Sequence, residues 1–188
     1  QLDRATQVLE SASARHPESA ELCFLAGNIQ FRQNKWGCAL ESYADALRRR
    51  PGWCQPHINQ GNAFREMGRF DSAEQSYRAS LEVECQSAAA RTNLGQLMRL
   101  QGRLDEARTH YEQALRSDST VWEAWINMGN LEMELDRIDE AAAAYQRAAE
   151  LRPRSAVTHS YLGRALIASE QMGEGIACLE RAPALDPQ

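Results

Sequence analysis

Histidine and cysteine are the residue types in this chain that most often bind metals or act as nucleophiles, and their positions favour neither role. No two histidines share a helix face at the spacing of zinc ligands, and no two cysteines form a CxxC pair. The cysteines are odd in number, which predicts reduced thiols that serve as small apolar side chains and favours a reducing compartment such as the cytoplasm. The histidines are His16, His57, His110 and His159, and the cysteines are Cys23, Cys38, Cys54, Cys85 and Cys178.

A nucleophilic pair is the second kind of chemistry to consider, and Cys23 with His57 is the best candidate. No residue of the sequence pattern supplies the orienting acid or the oxyanion hole that such a pair needs, and there is no glycine-rich phosphate loop. We therefore predict no catalytic residue, no metal and no cofactor. This segment is not expected to be an enzyme by itself, and a catalytic domain elsewhere in the parent protein stays an open alternative.

Carboxamide side chains form the pattern with the clearest chemical meaning. They recur at steps of three and four residues, which places them on one face of a helix. A carboxamide both donates and accepts hydrogen bonds, so it can bind the backbone of an extended peptide without reading its side chains. An equal alternative is that these amides bond neighbouring helices. Three arginines, Arg65, Arg99 and Arg164, could meet acidic ligand groups. The predicted peptide-binding site comprises Asn59, Asn62, Asn93, Gln96, Asn127, Asn130, Arg65 and Arg99.

The charge of the chain restricts its partners. The net charge is −5 with acids and bases interleaved, whereas proteins that bind nucleic acid usually present a basic face. Glu66, Glu123 and Glu134 lie among the amides and argue against a strongly acidic ligand. No apolar run approaches the roughly 18 residues that span a bilayer. We expect a protein or peptide partner, no nucleic acid and no direct membrane insertion.

A period of 34 residues runs through the whole chain and fixes the positions of these side chains. Glycine, alanine and tyrosine each recur at that interval, which is about the length of two short helices. The chain is therefore predicted to be a stack of helical hairpins, each packed against its neighbours. The recurring residues are Gly27, Gly61, Gly95, Gly129 and Gly163; Ala5, Ala39, Ala73, Ala107 and Ala141; and Tyr43, Tyr77, Tyr111 and Tyr145.

Residues 122–155 illustrate one hairpin. Apolar residues at steps of three and four predict a first helix from Trp122 and a second helix from Ile138. Gly129 and Ala141 lie where the two helices are expected to cross, with the bulk of Tyr145 beside them, so we interpret these columns as core. The turns are predicted at residue types that tolerate the left-handed conformation, namely Asn34, Gly68, Gly102 and Asp136.

The sequence resembles tetratricopeptide repeat proteins. The motif reads W-I-N-M-G-N from Trp125, A-A-A-A-Y-Q-R-A from Ala141 and then Pro153, and it recurs as R-T-N-L-G-Q from Arg91 with A-R-T-H-Y-E-Q-A from Ala107. The resemblance covers the whole chain and implies an all-α, right-handed superhelix of helical hairpins. It predicts a single array with a lone second helix at 1–19 and full repeats at 20–53, 54–87, 88–121, 122–155 and 156–188.

This resemblance implies a protein-interaction scaffold whose first helices line a concave groove for an extended peptide or protein segment. One subclass binds chaperone tails through basic residues, but the corresponding positions here include Phe24 and Ala89, which disfavours that function. Another subclass is the arm of O-linked N-acetylglucosamine transferase, whose asparagine ladder is matched by Asn59, Asn93 and Asn127. The alternatives are thus a substrate-recruiting arm of a larger enzyme or a free-standing bacterial scaffold that assembles with itself or with envelope or secretion components.

The two ends of the array depart from the pattern. Gly175 occupies an alanine position and Pro183 lies where the last helix should still run, so that helix is expected to be short or frayed. The terminal helices lack covering neighbours, which predicts exposed apolar surface and self-association through residues 1–19 and 172–188.

Overall fold

The apolar stripes of the sequence fold into ten consecutive α-helices and no strand within the part of the chain that the structure describes. The computed structural model describes residues 9, 12, 15, 16, 18–84 and 86–185. The predicted lone helix at 1–19 therefore lies almost entirely outside the described residues. The helices are α1 (Ala20–Arg32), α2 (Trp36–Arg49), α3 (Cys54–Glu66), α4 (Phe70–Val83), α5 (Ala88–Leu100), α6 (Leu104–Ser117), α7 (Trp122–Glu134), α8 (Ile138–Leu151), α9 (Ala156–Ala168) and α10 (Met172–Leu185).

The predicted all-α fold class, a solenoid of helical repeats, is confirmed. The chain divides into two compact units, Gln1–Leu97 and Met98–Gln188. In the first unit α1 packs against α2, α2 against α3, and α3 against α4. In the second unit each helix from α6 to α10 packs against the next, and α7 also contacts α9. Within each unit these helices thus pack against their sequence neighbours, as expected for stacked hairpins.

The turns inside the five hairpins share one backbone conformation. One residue adopts a positive φ of 58–74°, and the next N–H donates to the carbonyl five residues earlier, at 2.8–2.9 Å in all five hairpins. This bond satisfies a carbonyl that the end of the first helix would otherwise leave unpaired. The predicted turn residues are confirmed, and the fifth hairpin adds a residue type that the prediction did not include. The positive-φ residues are Asn34, Gly68, Gly102, Asp136 and Glu170.

Glycine and tyrosine meet at the helix crossing of three hairpins. A β-carbon built on Gly61 would fall within van der Waals distance of the Tyr77 ring, whose carbon Cζ would be 2.8 Å away. Tyr77 itself is 0% exposed. The same contact joins Gly129 to Tyr145, so the predicted core role of these columns is confirmed. Glycine is needed here because the ring occupies the space of a side chain.

In the last hairpin the two helices cross through a different contact. A β-carbon on Gly163 would lie 2.8 Å from the carbonyl oxygen of Gly175, so two glycines let the two backbones approach each other closely. The helix that carries Gly175 runs to Leu185 and is as long as the other second helices. The expectation that Pro183 shortens this helix is therefore wrong. Pro183 lies in the last turn of this helix, so few residues follow the hydrogen bond that proline cannot donate, and the preceding turns stay intact.

Candidate functional site

The amides predicted to bind a ligand, together with Asn28, fall into two columns along the first helices. The first amide column comprises Asn28, Asn62, Gln96 and Asn130, and the second comprises Asn59, Asn93 and Asn127.

The asparagines of the first amide column are hydrogen-bonded to the core. The Tyr77 hydroxyl donates to Oδ1 of Asn62 at 2.8 Å, and the Tyr145 hydroxyl donates to Oδ1 of Asn130 at the same distance. The bond between the Tyr43 hydroxyl and Oδ1 of Asn28 is 3.0 Å long. Each bond links the second helix of a hairpin to its first helix. The carbonyl oxygens of these amides are therefore already used within the fold.

The second amide column is only partly engaged. Nδ2 of Asn59 donates to Oδ1 of Asn28 at 2.7 Å, which connects α3 to α1. The side-chain amides of Asn93 and Asn127 make no hydrogen bond to the described part of the chain, and both side chains are half-buried. Asn59 bonds a neighbouring helix, whereas the amide donors and acceptors of Asn93 and Asn127 are not used by the described part of the chain.

The two predicted arginines each contact the first helix of the following hairpin, and Arg65 also contacts a residue of its own helix. Arg65 Nη1 donates to Oε1 of Gln96 at 2.6 Å, and its Nη2 is 3.0 Å from Oε1 of Glu66. Arg99 Nη1 lies 3.0 Å from Oε2 of Glu134. These contacts neutralise two of the acids that argued against an acidic ligand. They also leave less of Arg65 and Arg99 for a ligand than the sequence pattern indicates.

Burial keeps the tyrosine hydroxyls protonated. Removal from water raises the pKa of Tyr77 to about 12, and it raises the pKa of Tyr145 to about 12 as well. Burial also raises the pKa of Tyr43 to about 12, against a smaller opposing effect of Asn59. Each phenol is therefore protonated at neutral pH and can donate to its asparagine, as it does in this structure.

Two small pockets lie beside these amides, one in each unit. The pocket of the first unit, here called the Arg32 pocket, has a volume of about 180 Å³. The pocket of the second unit, here called the Arg164 pocket, has a volume of about 130 Å³. The Arg32 pocket is lined by Asn28, Phe31, Arg32, Tyr43, Asn59 and Asn62, and the Arg164 pocket by Asn130, Met133, Tyr145, Tyr161, Arg164 and Ala165.

The structure adds residues to the site that the prediction did not contain. Arg32 was not singled out because the positions 34 residues apart in its column hold Glu66, Leu100 and Glu134, so no repeated cation marks it. Asn28 lies in the first amide column, and its one-repeat spacing from Asn62 was the available signal.

The cysteines and histidines do not assemble into a reactive group among the described residues. The Cys54 thiol donates to Oε2 of Glu84 at 2.9 Å. Burial, assisted by Glu84, raises the pKa of Cys54 to about 11, which keeps it a neutral thiol rather than a nucleophilic thiolate. No hydrogen bond joins Cys23 to His57, and burial lowers the pKa of His57. Within the described residues no three His, Cys, Asp or Glu side chains cluster closely enough to hold a metal ion.

No helix in the described part of the chain combines the length and the apolar character that crossing a membrane requires.

Family models for the tetratricopeptide repeat match this chain over residues 1–52 and 58–121, and again over residues 122–155. No curated protein gives a significant sequence match.

Several solved structures share the fold at low sequence identity. A thermophilic tetratricopeptide repeat protein of Thermus thermophilus superposes with a TM-score of 0.78 at 22% identity, covering 88% of this chain and 91% of that chain. PilF of Pseudomonas aeruginosa has a TM-score of 0.81 at 15% identity, covering 92% and 78%. YrrB, described as a tetratricopeptide repeat protein with an unusual peptide-binding site, has a TM-score of 0.61 at 18% identity, covering 96% and 93%.

Proposed function

Because this chain belongs to the tetratricopeptide repeat family, whose members are generally protein-interaction scaffolds, we propose that it binds an extended peptide or protein segment along its first helices. The observation that carries the proposal is the state of Asn93 and Asn127. Both lie in the second amide column, and neither amide is hydrogen-bonded within the described chain. An amide in that state can pair with both the N–H and the C=O of a peptide backbone.

Two further observations support a peptide ligand. The Arg32 and Arg164 pockets are smaller than the roughly 300–1,000 Å³ typical of small-molecule sites, so each suits a single side chain. YrrB, which shares the fold, is described as having a peptide-binding site. Leu25 and Val157 are 48% and 53% exposed on the same first helices, where they offer apolar contact to a bound segment.

The test uses a phage-displayed library of random linear peptides selected against the purified chain. Peptides obtained this way are titrated by fluorescence anisotropy against the wild type and the double variant Asn93→Ala/Asn127→Ala. Each lost hydrogen bond is worth roughly 0.5–1.5 kcal/mol, so the double variant should bind about fivefold to a hundredfold more weakly. Its melting temperature should not change, because these amides support no other residue.

Gln75→Ala is the matched control, since Gln75 is an exposed amide on the second helix α4. It should bind like the wild type. Selection of no peptide at all, or equal binding by the well-folded double variant, would contradict the proposal and direct attention to the second helices.

A second candidate is a substrate-recruiting arm of a larger enzyme such as an O-linked N-acetylglucosamine transferase. It is supported by Asn59, Asn93 and Asn127, which recur in one column at the repeat spacing. The sequence of the complete parent protein tests it. A glycosyltransferase domain in the same polypeptide would support this candidate, and its absence would favour a free-standing scaffold.

A further inference from the structure

The hydrogen bonds inside the hairpins determine which donor and acceptor groups of the pocket amides are left for a ligand. In the Arg164 pocket the carbonyl of Asn130 accepts from the Tyr145 hydroxyl, which leaves both Nδ2 hydrogens but only one acceptor lone pair of that amide. In the Arg32 pocket the carbonyl of Asn28 accepts from both the Tyr43 hydroxyl and Nδ2 of Asn59. Asn28 therefore keeps only its donor group for a ligand.

The Arg32 pocket gains a second amide donor from Asn62. The carbonyl of Asn62 accepts from the Tyr77 hydroxyl at 2.8 Å, so Asn62 also keeps both Nδ2 hydrogens and one acceptor lone pair. Oδ1 of Asn59 adds further acceptor capacity, while one of its two Nδ2 hydrogens is used by Asn28. The amides around this pocket thus offer more donors than acceptors.

The arginines of the described chain divide into paired and unpaired groups. Arg65 and Arg99 contact Glu66 and Glu134, and Arg108 contacts Glu132. Arg32 and Arg164 are exposed and form no hydrogen bond or ion pair with the described part of the chain.

Each of these two unpaired arginines lines one of the two pockets, so each pocket combines an unpaired positive charge with amide N–H donors. An apolar wall completes each pocket, formed by Phe31 in the first unit and by Met133 with Tyr161 in the second.

We propose that the Arg32 pocket and the Arg164 pocket each bind the carboxylate of an aspartate or glutamate side chain in the peptide ligand. This inference rests on the proposed function, because it specifies the side chains of the segment that the first helices bind. A carboxylate only accepts hydrogen bonds, which matches sites that offer mainly donors, and a guanidinium binds it through charge-assisted bonds. The apolar wall contacts the methylene groups of the same side chain.

The preferred ligand is therefore acidic at separate positions and not along its whole length. Each unit also holds an arginine that already contacts a glutamate, Arg65 with Glu66 in the first unit and Arg99 with Glu134 in the second, so the charge at these positions is balanced. A uniformly acidic segment would meet those carboxylates as well as the arginines and would gain less.

The experiment compares arginine variants with changes in a selected peptide. The chain is probed with the library-selected peptide and with copies in which each Asp or Glu is replaced by Asn or Gln. A free C-terminal carboxylate is separated from side-chain carboxylates by a C-terminally amidated copy. Arg32→Gln and Arg164→Gln are the test variants. Arg154→Gln is the control, since Arg154 is likewise exposed and unpaired but lies outside both pockets.

Loss of a hydrogen bond to a charged group should weaken binding by about tenfold or more in each test variant. The neutralised peptide should bind wild type equally weakly, and combining it with the matching arginine variant should cause little further loss. Arg154→Gln should bind within about twofold of the wild type. A variant that loses affinity identifies its pocket as a carboxylate site, and a variant that binds normally overturns the assignment of that pocket.

The experiment distinguishes a failure of the carboxylate pockets from a failure of the proposed peptide binding. Peptides that lack Asp and Glu, lose affinity in Asn93→Ala/Asn127→Ala and bind both arginine variants normally would overturn the carboxylate pockets while peptide binding stays supported. Tight binding of neutral copies together with complete loss on C-terminal amidation would also overturn side-chain recognition. Circular dichroism spectra of both arginine variants should match the wild type, because neither arginine contacts another described residue through a hydrogen bond.

Discussion

The hydroxyl of Tyr77 donates a hydrogen bond to Oδ1 of Asn62, and this bond joins a core side chain to an amide of the candidate binding face. The Tyr77 ring also occupies the space beside Gly61, where a side chain would otherwise lie. One residue thus sets both the distance between the helices and the direction in which the amide presents its donor. Changes at the helix crossing are therefore expected to affect the orientation of Asn62 as well as stability.

The tyrosine pKa values predict a loss of stability in alkali. Burial raises the pKa of Tyr77 from the model-compound 10.0 to about 12, so the unfolded chain ionises first. The stabilisation is complete below about pH 10 and is lost as the pH rises through about 12, on the order of 2 kcal/mol per tyrosine. Urea unfolding followed by circular dichroism across this range should show the decline. Tyr77→Phe should flatten it, and an unchanged slope in that variant would contradict the assignment.

The Gly61–Tyr77 contact predicts that a single methyl group destabilises the first unit. In Gly61→Ala the β-carbon would overlap the Tyr77 ring, and overpacking of this kind costs about 1–3 kcal/mol. Gly37→Ala is the control, because Gly37 also lies in a helix but no atom lies within 4 Å of an added β-carbon. That control should be neutral or up to about 1 kcal/mol more stable. Urea midpoints measure both variants, and equal midpoints would show that the crossing can relax.

Glu170 predicts a stabilising substitution. It has a φ of 65° at the turn between α9 and α10, whereas a side chain in the left-handed region costs about 1–2 kcal/mol. Glu170→Gly should therefore raise the free energy of unfolding by about 0.5–1 kcal/mol. Ser169→Gly is the neighbouring control, and because Ser169 has a φ of −87° that change should destabilise. A lower melting temperature for Glu170→Gly would mean that the carboxylate stabilises the turn.

Glu132 predicts strong coupling between α6 and α7. It is 3% exposed, and its Oε2 lies 2.7 Å from Arg108 Nη2 and 3.7 Å from Arg137 Nη1. Arg108→Met should leave the buried carboxylate with Arg137 alone and lower the free energy of unfolding by about 2 kcal/mol. Breaking a fully buried pair costs more, about 3–5 kcal/mol. Glu132→Leu combined with Arg108→Met should recover most of that loss. A double-mutant cycle from urea unfolding measures the coupling, and additive effects would contradict it.

Much of the fold follows from the 34-residue period. Asn34 and Asp136 mark their turns because both residue types tolerate a positive φ, and the structure has φ values of 59° and 58° there. Glu170 occupies the same column but has no such preference, so residue type alone did not identify it. Pro183 was wrongly expected to shorten its helix because the cost of proline depends on how many turns follow it.

The candidate site was predictable in its columns and less so in its contacts. The period placed Asn62 and Asn93 on the first helices, but it could not show that Tyr77 bonds the first and leaves the second available. Long side chains were harder still. Arg65 and Arg99 share a column, yet one contacts Gln96 and the other Glu134, since rotamers depend on the local neighbours and not on the repeat.

Gly163 and Gly175 restrict how the gene can recombine. Hairpins that cross through a glycine and a tyrosine carry matching surfaces, so an exchange of their first helices would preserve the contact seen at Gly61 and at Gly129. A crossover that gave α9 a second helix from another hairpin would place an alanine methyl group against the backbone of Gly163. The last hairpin is therefore expected to be inherited as a whole, with lineage-specific duplications arising among the hairpins before it.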